Sequence, residues 1–149
     1  MKIEIKHHFT GDILYACNAE NLKEAVVEAI GKIVNLSGAD LRDAYLRDAN
    51  LSYANLSHAD LSYADLNGAN LSHADLSYAD LSGAYLNESN LNGANLHGTN
   101  LSYAYLIGTN IHDADLGGEK LAICPISMPD TTLDIVNLIL DLLPLGETK

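Results

Sequence analysis

The chain has no tryptophan, a single phenylalanine, three prolines and two cysteines among 149 residues. Cys17 and Cys124 show no Cys-x-x-Cys spacing, which excludes a disulfide framework and leaves two free thiols suited to a reducing cytoplasm. Cations are scarce as well: eight Lys and Arg stand against twenty Asp and Glu, for a net charge of −12. That balance argues against direct nucleic-acid binding. No apolar run approaches the length of a bilayer span, so no membrane association is expected. Met1 to Lys6 carries no apolar core of a secretory signal, so a cytoplasmic location is the expectation. No glycine-rich phosphate loop is present either.

What the chain has in abundance is leucine at a fixed interval. From Leu36 to Leu121 every fifth residue is leucine, with Ile111 the one substitution. Two residues before each stands alanine, except at Ser89, Thr99 and Thr109. One residue before each is usually Asp or Asn, so the chain reads A-(D/N)-L-x-x, repeated eighteen times with weaker ends at Val34 and Glu119. A five-residue spacing drifts around an α-helix by roughly 140° per repeat, so no helical face persists. The small residue and the leucine, two apart, instead share one side of a short extended segment. Ser-Gly, Ser-Tyr or Asn-Gly then supplies a corner. Strict self-similarity of this kind marks a solenoid, with alanine and leucine on the axis and the other three positions in water. A narrow interior of this kind has no room for large rings, which fits the missing tryptophan and the lone Phe9.

This pattern resembles the pentapeptide-repeat family over residues 34–121. The resemblance implies an all-β solenoid: a right-handed quadrilateral β-helix with four repeats, or twenty residues, per coil. The sequence carries its own indication of four sides. Comparing the residues that precede each leucine, a lag of four repeats gives 7 identities in 14 pairs, against 5 in 15 for three and 2 in 13 for five. Eighteen repeats then make about four coils in a stack roughly 20 Å tall.

Residues 1–33 are expected to cap the stack. A hairpin over residues 2–17 turns at Thr10-Gly11-Asp12, with Phe9 on its first strand. Asn21 caps a helix, Glu24 completes a variant of the capping box, and Gly31 stops the helix. His7-His8 is a poor metal pair, because adjacent strand residues point to opposite faces. Residues 122–149 are expected to form a C-terminal cap with a helix at roughly 132–143. Its apolar arc exceeds what lying on a coil end requires, so Leu133, Val136, Ile139, Leu140 and Leu143 are candidates for a homodimer interface.

Function is expected on the outer surface. Net charge divides as −1 for residues 1–33 (four Lys, five acids), −8 for 34–121 (three basic, eleven acids) and −3 for 122–149 (one Lys, four acids). With four sides, one column reads Asp40, Asp60, Asp80, Asn100, Lys120 and the next reads Tyr45, Asp65, Tyr85, Tyr105. These acids and tyrosines are the candidate partner-binding residues. The expectation is a non-catalytic interaction or scaffold protein that presents this surface to a protein partner. The alternative is a DNA mimic inhibiting a nucleic-acid enzyme such as DNA gyrase, as some members of the resembled family do. No enzyme, cofactor or metal is expected. His58, His73, His97 and His112 fall at outward positions, none directly stacked on another, and Asp43 and Asp48 beside Arg42 and Arg47 suggest only surface ion pairs.

Overall fold

A computed structural model describes residues 1–117, so the expected C-terminal helix and the segment 122–149 lie outside the described residues. Within it, a hairpin of β1 (Lys2–Lys6) and β2 (Ile13–Asn18) leads into α1 (Leu22–Gly31), and the repeats follow. Among the described residues, each repeat pairs with the one twenty residues later. Single-residue parallel bridges join Asp40 to Asp60 to Asp80 to Asn100, and Tyr45 to Asp65 to Tyr85 to Tyr105. Two further columns run from Asn50 to Asn110 and from Asn55 to Asp115. Four bridging positions per twenty residues make a four-sided β-helix coil.

The five amide groups of each repeat explain the sequence motif, since buried or crowded N–H groups need acceptors. The leucine N–H donates to the next coil, as from Leu61 to the Asp80 carbonyl at 2.8 Å. The N–H two residues further on does the same, as from Tyr63 to Ser82 at 2.9 Å. The residue before leucine donates to the previous coil, as from Asp60 to Ala39 at 2.9 Å. The alanine N–H closes the corner onto the preceding leucine carbonyl, as from Ala64 to Leu61 at 3.1 Å. That leaves the residue after leucine, whose N–H has no backbone acceptor. The Asp or Asn two residues earlier takes it: Asp60 Oδ1 accepts from Ser62, Asn70 Oδ1 from Ser72 and Asp80 Oδ1 from Ser82. This side-chain turn is why Asp or Asn precedes nearly every leucine.

Tyr45, Tyr85 and Tyr105 break the rule, because a phenol cannot make that turn. For Tyr85 and Tyr105, asparagines from the coil before compensate. Asn67 Oδ1 accepts from Asn87 N–H at 3.0 Å, and Asn87 Oδ1 accepts from Ile107 N–H at 2.9 Å.

The corners require a positive φ at the second residue after each leucine, and all sixteen from Gly38 to Asp113 lie between +56° and +70°. With the leucine carbonyl closing onto alanine, this is the signature of a type II turn, in which glycine is the usual occupant. Ten of the sixteen are not glycine.

Inside, Leu36 to Leu101 and the alanines opposite them are almost fully buried, whereas Leu106 and Ile111 in the last described coil are half-buried. Three polar residues replace alanine. The hydroxyls of Thr99 and Thr109 donate to the Leu76 and Leu86 carbonyls. The Ser89 hydroxyl finds no partner among the described residues. An unpaired buried hydroxyl costs about 1–3 kcal/mol. Ser89→Ala, which restores the consensus residue, is expected to raise unfolding free energy by about 1 kcal/mol in urea titration.

The hairpin and helix meet the first coil directly. Lys6 carbonyl accepts from Asp40 N–H, His8 N–H donates to Gly38, and His7 bridges Ala39. Ile5, Ala25, Val26 and Ala29 are buried in the same cluster as the leucines. Four local expectations need correction. The turn between the strands spans residues 7–12, and Phe9 sits in it, 86 % exposed, rather than on a strand. Because β1 ends at Lys6, the His7 and His8 rings do not diverge but stack at 5.3 Å. Asn21 caps α1 through Glu24 N–H, yet Glu24 reaches back to Glu20 N–H instead of Asn21, one residue beyond the donor of a standard capping box. Gly31 does not stop the helix; it is the last helical residue.

Ile33 makes that stop instead, at φ +59°, donating to Ile30 while Val34 donates to Ala29. This bond pair is a Schellman cap, whose left-handed position favours glycine. Ile33 is 93 % exposed, so its side chain contributes little packing. Ile33→Gly is therefore expected to raise the midpoint of thermal unfolding, by about 1 kcal/mol of stability.

Candidate interaction surface

Three positions of each repeat face water: the one before leucine and the two after it. The structure brings Asp40, Asp60 and Asp80 into one column, as the spacing predicts, and places Asp65 between Tyr45 and Tyr85 in the next. The Tyr85 and Tyr105 rings stack at 4.9 Å and 4°. The acids are not equivalent. Arg42 donates to both carboxylate oxygens of Asp40, at 2.9 and 2.8 Å, and lies 3.7 Å from Asp60. Hydrogen bonding to Arg42 holds the Asp40 carboxyl below its ordinary range and raises the guanidinium correspondingly. Asp40 is thus neutralised within the chain. Asp60, Asp65 and Asp80 each commit Oδ1 to the amide two residues on.

Arg42 and Arg47 are the only cations of the described coils, and both pair with neighbouring acids. From Asp48 to Gly117 there is no Lys or Arg against eight acids. Since Asp and Asn satisfy the same amide, the choice between them sets surface charge without altering the coil.

Between the two candidate columns runs a corner that the sequence reading passed over: Asp43, Tyr63, Gly83, Tyr103. The Tyr63 ring leans over Gly83, where a Cβ would lie 2.6 Å from it. Together with Tyr45, Tyr85, Tyr105 and Ile107, Tyr63 and Tyr103 make a run of large exposed side chains along one edge. Histidines gather on the other corners. His58 stacks on Tyr78 at 5.2 Å with His97 at the ring edge, and Tyr53 stacks on His73 at 5.0 Å. Comparing the corner residues twenty apart, rather than only those before leucine, would have revealed these stacks.

No group of three or more His, Cys, Asp or Glu is placed to hold a metal among the described residues. A hollow of about 460 Å³ between α1 and the first coil is lined by Ile30, Ile33, Val34, Ser52, Tyr53 and Asn55, without a carboxylate, imidazole or thiol. Burial raises the Cys17 thiol, and the charge of Glu28 adds to the effect, so it is a poor nucleophile. No described helix is long and apolar enough to cross a membrane. The candidate dimer residues Leu133, Val136, Ile139, Leu140 and Leu143 lie outside the described residues.

Comparison with known proteins agrees with the repeat reading. The family model for pentapeptide repeats matches residues 34–68, 54–93 and 79–118, with eight copies. Similar solved structures include the pentapeptide repeat protein Rfr23 of Cyanothece 51142, at 41 % identity over 56 % of this chain and 58 % of that one, with a TM-score of 0.40. The chain thus spans under two thirds of Rfr23. The pentapeptide repeat protein alr5209 of Nostoc PCC 7120 is 35 % identical over 63 % of this chain and 74 % of its own, with a TM-score of 0.42. HetL of Nostoc sp. strain PCC 7120, a pentapeptide repeat protein involved in heterocyst differentiation regulation, is 33 % identical over 59 % and 53 %, with a TM-score of 0.19. No curated protein matches. With more than half of its residues matched by the repeat model, the chain belongs to the pentapeptide-repeat family.

Proposed function

We propose that this chain is a non-catalytic interaction module, a right-handed four-sided stack whose acidic, Tyr- and Asn-lined surface engages a protein partner. One observation carries the reading. Position for position, Asp and Asn do the same structural work before leucine, yet this column carries Asp60 and Asp80, and beyond Arg42, which lies 3.7 Å from Asp60, no Lys or Arg offsets the acids between Asp48 and Gly117. The fold would tolerate a neutral surface. Cross-linking in the source cell followed by affinity capture tests this: the unmodified chain should retain a protein that Asp60→Asn with Asp80→Asn releases. Equal recovery by both forms would reject the surface.

A second reading, DNA mimicry, is favoured by charge spacing alone. A charge of −8 over a stack roughly 20 Å tall is about one per 2.5 Å, the same order as ~1.7 Å for duplex DNA. Such a rod would be steered toward basic clefts, with gyrase the enzyme to assay. Inhibition of supercoiling by the unmodified chain, lost in the Asp60→Asn, Asp80→Asn form, supports it. Absence of inhibition discards it.

A further inference from the structure

We propose that the corner between the Asp60–Asp80 column and the Tyr85–Tyr105 column binds an arginine-bearing segment of a protein partner. This rests on the acidic-surface reading and adds the place and the chemistry. Tyr45, Tyr63, Tyr85, Tyr103, Tyr105 and Ile107 are each more than 40 % exposed and follow one edge. Exposed large side chains in that number mark interaction surfaces, and tyrosine and arginine are enriched where proteins meet.

Charge complementarity selects the occupant. No Lys or Arg occurs between Asp48 and Gly117, while Asp60, Asp65 and Asp80 flank the tyrosines. Each of these carboxylates has Oδ1 bound to its own turn amide, while Oδ2 accepts no hydrogen bond among the described residues, that of Asp60 lying 3.7 Å from Arg42. A guanidinium suits such a place better than an ammonium, since it forks onto carboxylate and stacks on phenol faces. The chain displays the carboxylate part of this arrangement once itself. On the first coil, Arg42 lies along this column, gripping Asp40 and approaching Asp60. One, two and three coils on, the equivalent positions are Ser62, Ser82 and Ser102, which leave those rungs without a cation, with Tyr63 beside Ser62 and Tyr103 beside Ser102. The rings of the other corners are instead engaged with imidazoles, as in Tyr53–His73 and His58–Tyr78.

Fluorescence anisotropy with a short arginine–glycine repeat peptide and its lysine–glycine counterpart of equal length tests the proposal at low salt. The arginine peptide should bind about tenfold more tightly, from stacking that lysine performs less well. Tyr63→Ala with Tyr103→Ala should bring the two peptides level, whereas Tyr53→Ala with Tyr78→Ala should change neither. Circular dichroism checks that each variant keeps its fold. Equal affinity of the two peptides for the unmodified chain would overturn the arginine site while leaving the acidic surface standing. No binding of either would overturn it too, and the cellular capture experiment then decides the wider reading separately. A dimer in sedimentation velocity that the Tyr63, Tyr103 substitutions dissolve would assign the edge to a second copy and overturn the proposal.

Discussion

Leu66→Ala is expected to lower unfolding free energy by about 3–5 kcal/mol, close to the top of the range for a buried leucine. The side chain is fully buried, with Leu46 one coil before it and Leu86 one coil after. Removing it opens space against both neighbours, and the alanine ladder beside it cannot collapse inward because those side chains have no length to give. The backbone cannot close the gap either, since Leu66 N–H is tied to Tyr85 and the next residue in the column is fixed to the coil before. In a stack where each coil touches only its neighbours, the loss falls on two interfaces. Leu106→Ala, at a half-buried leucine of the last described coil, should cost about half as much. Urea titrations of the two variants followed by circular dichroism give the comparison. A cost below about 1 kcal/mol for Leu66→Ala would mean that the leucines do not line a packed interior.

Gly83→Ala is the second large effect, expected at about 2–3 kcal/mol. Two causes add. Gly83 holds φ at +67°, where a Cβ costs about 1–2 kcal/mol. That Cβ would also lie 2.6 Å from Tyr63 Cε1 and 2.7 Å from Cδ1. The exposed Tyr63 ring can swing aside, so the steric part should be about 1 kcal/mol and not more. The two causes can be separated. Gly11 has a similar φ of +74° with nothing near its Cβ direction, so Gly11→Ala measures the backbone cost alone. In a Tyr63→Ala background, Gly83→Ala should fall to that lower value. A cycle with no coupling between residues 63 and 83 would show that the ring does not rest there.

The same relation orders the corner columns. A residue that follows a large corner side chain by twenty positions is either glycine or another flat ring. Tyr63 precedes Gly83, His73 precedes Gly93 and Tyr78 precedes Gly98, while Tyr53 precedes His73 and His58 precedes Tyr78. Even His7, outside the coils, lies against Gly38 as though it belonged to a preceding turn of the stack. Glycine at these corners thus answers to the ring beneath it at least as much as to φ.

Much of this architecture was legible because it depends on period. Alternation of Ala39 and Leu41, then Ala44 and Leu46, shows which side chains enter the axis, and the recurrence of Asp40, Asp60 and Asp80 shows the coil length. Features that depend on what a side chain does locally were not legible. Nothing in the string states that Asp60 Oδ1 replaces a missing backbone acceptor, or that Asn67 and Asn87 repair the same deficit beside Tyr85 and Tyr105. Tyrosine and histidine at left-handed corners run against residue preference, so propensity pointed elsewhere, and Ile33 in the helix cap misled in the same way. For the surface, the columns of Asp60, Asp80 and Tyr85 followed from spacing. The corner of Tyr63 and Tyr103 between them did not, because it emerges only when the residues after leucine are aligned as carefully as those before it.

Leucine, alanine and their neighbours close a tube by pairing with coils about twenty residues away. Scalar couplings across hydrogen bonds, measured by NMR on isotope-labelled protein, read that pairing amide by amide. The coupling partners should be Leu61 nitrogen with the Asp80 carbonyl carbon, Tyr63 with Ser82 and Asp60 with Ala39. Couplings from the same amides to carbonyls four residues earlier, the pattern of an α-helix, would contradict it.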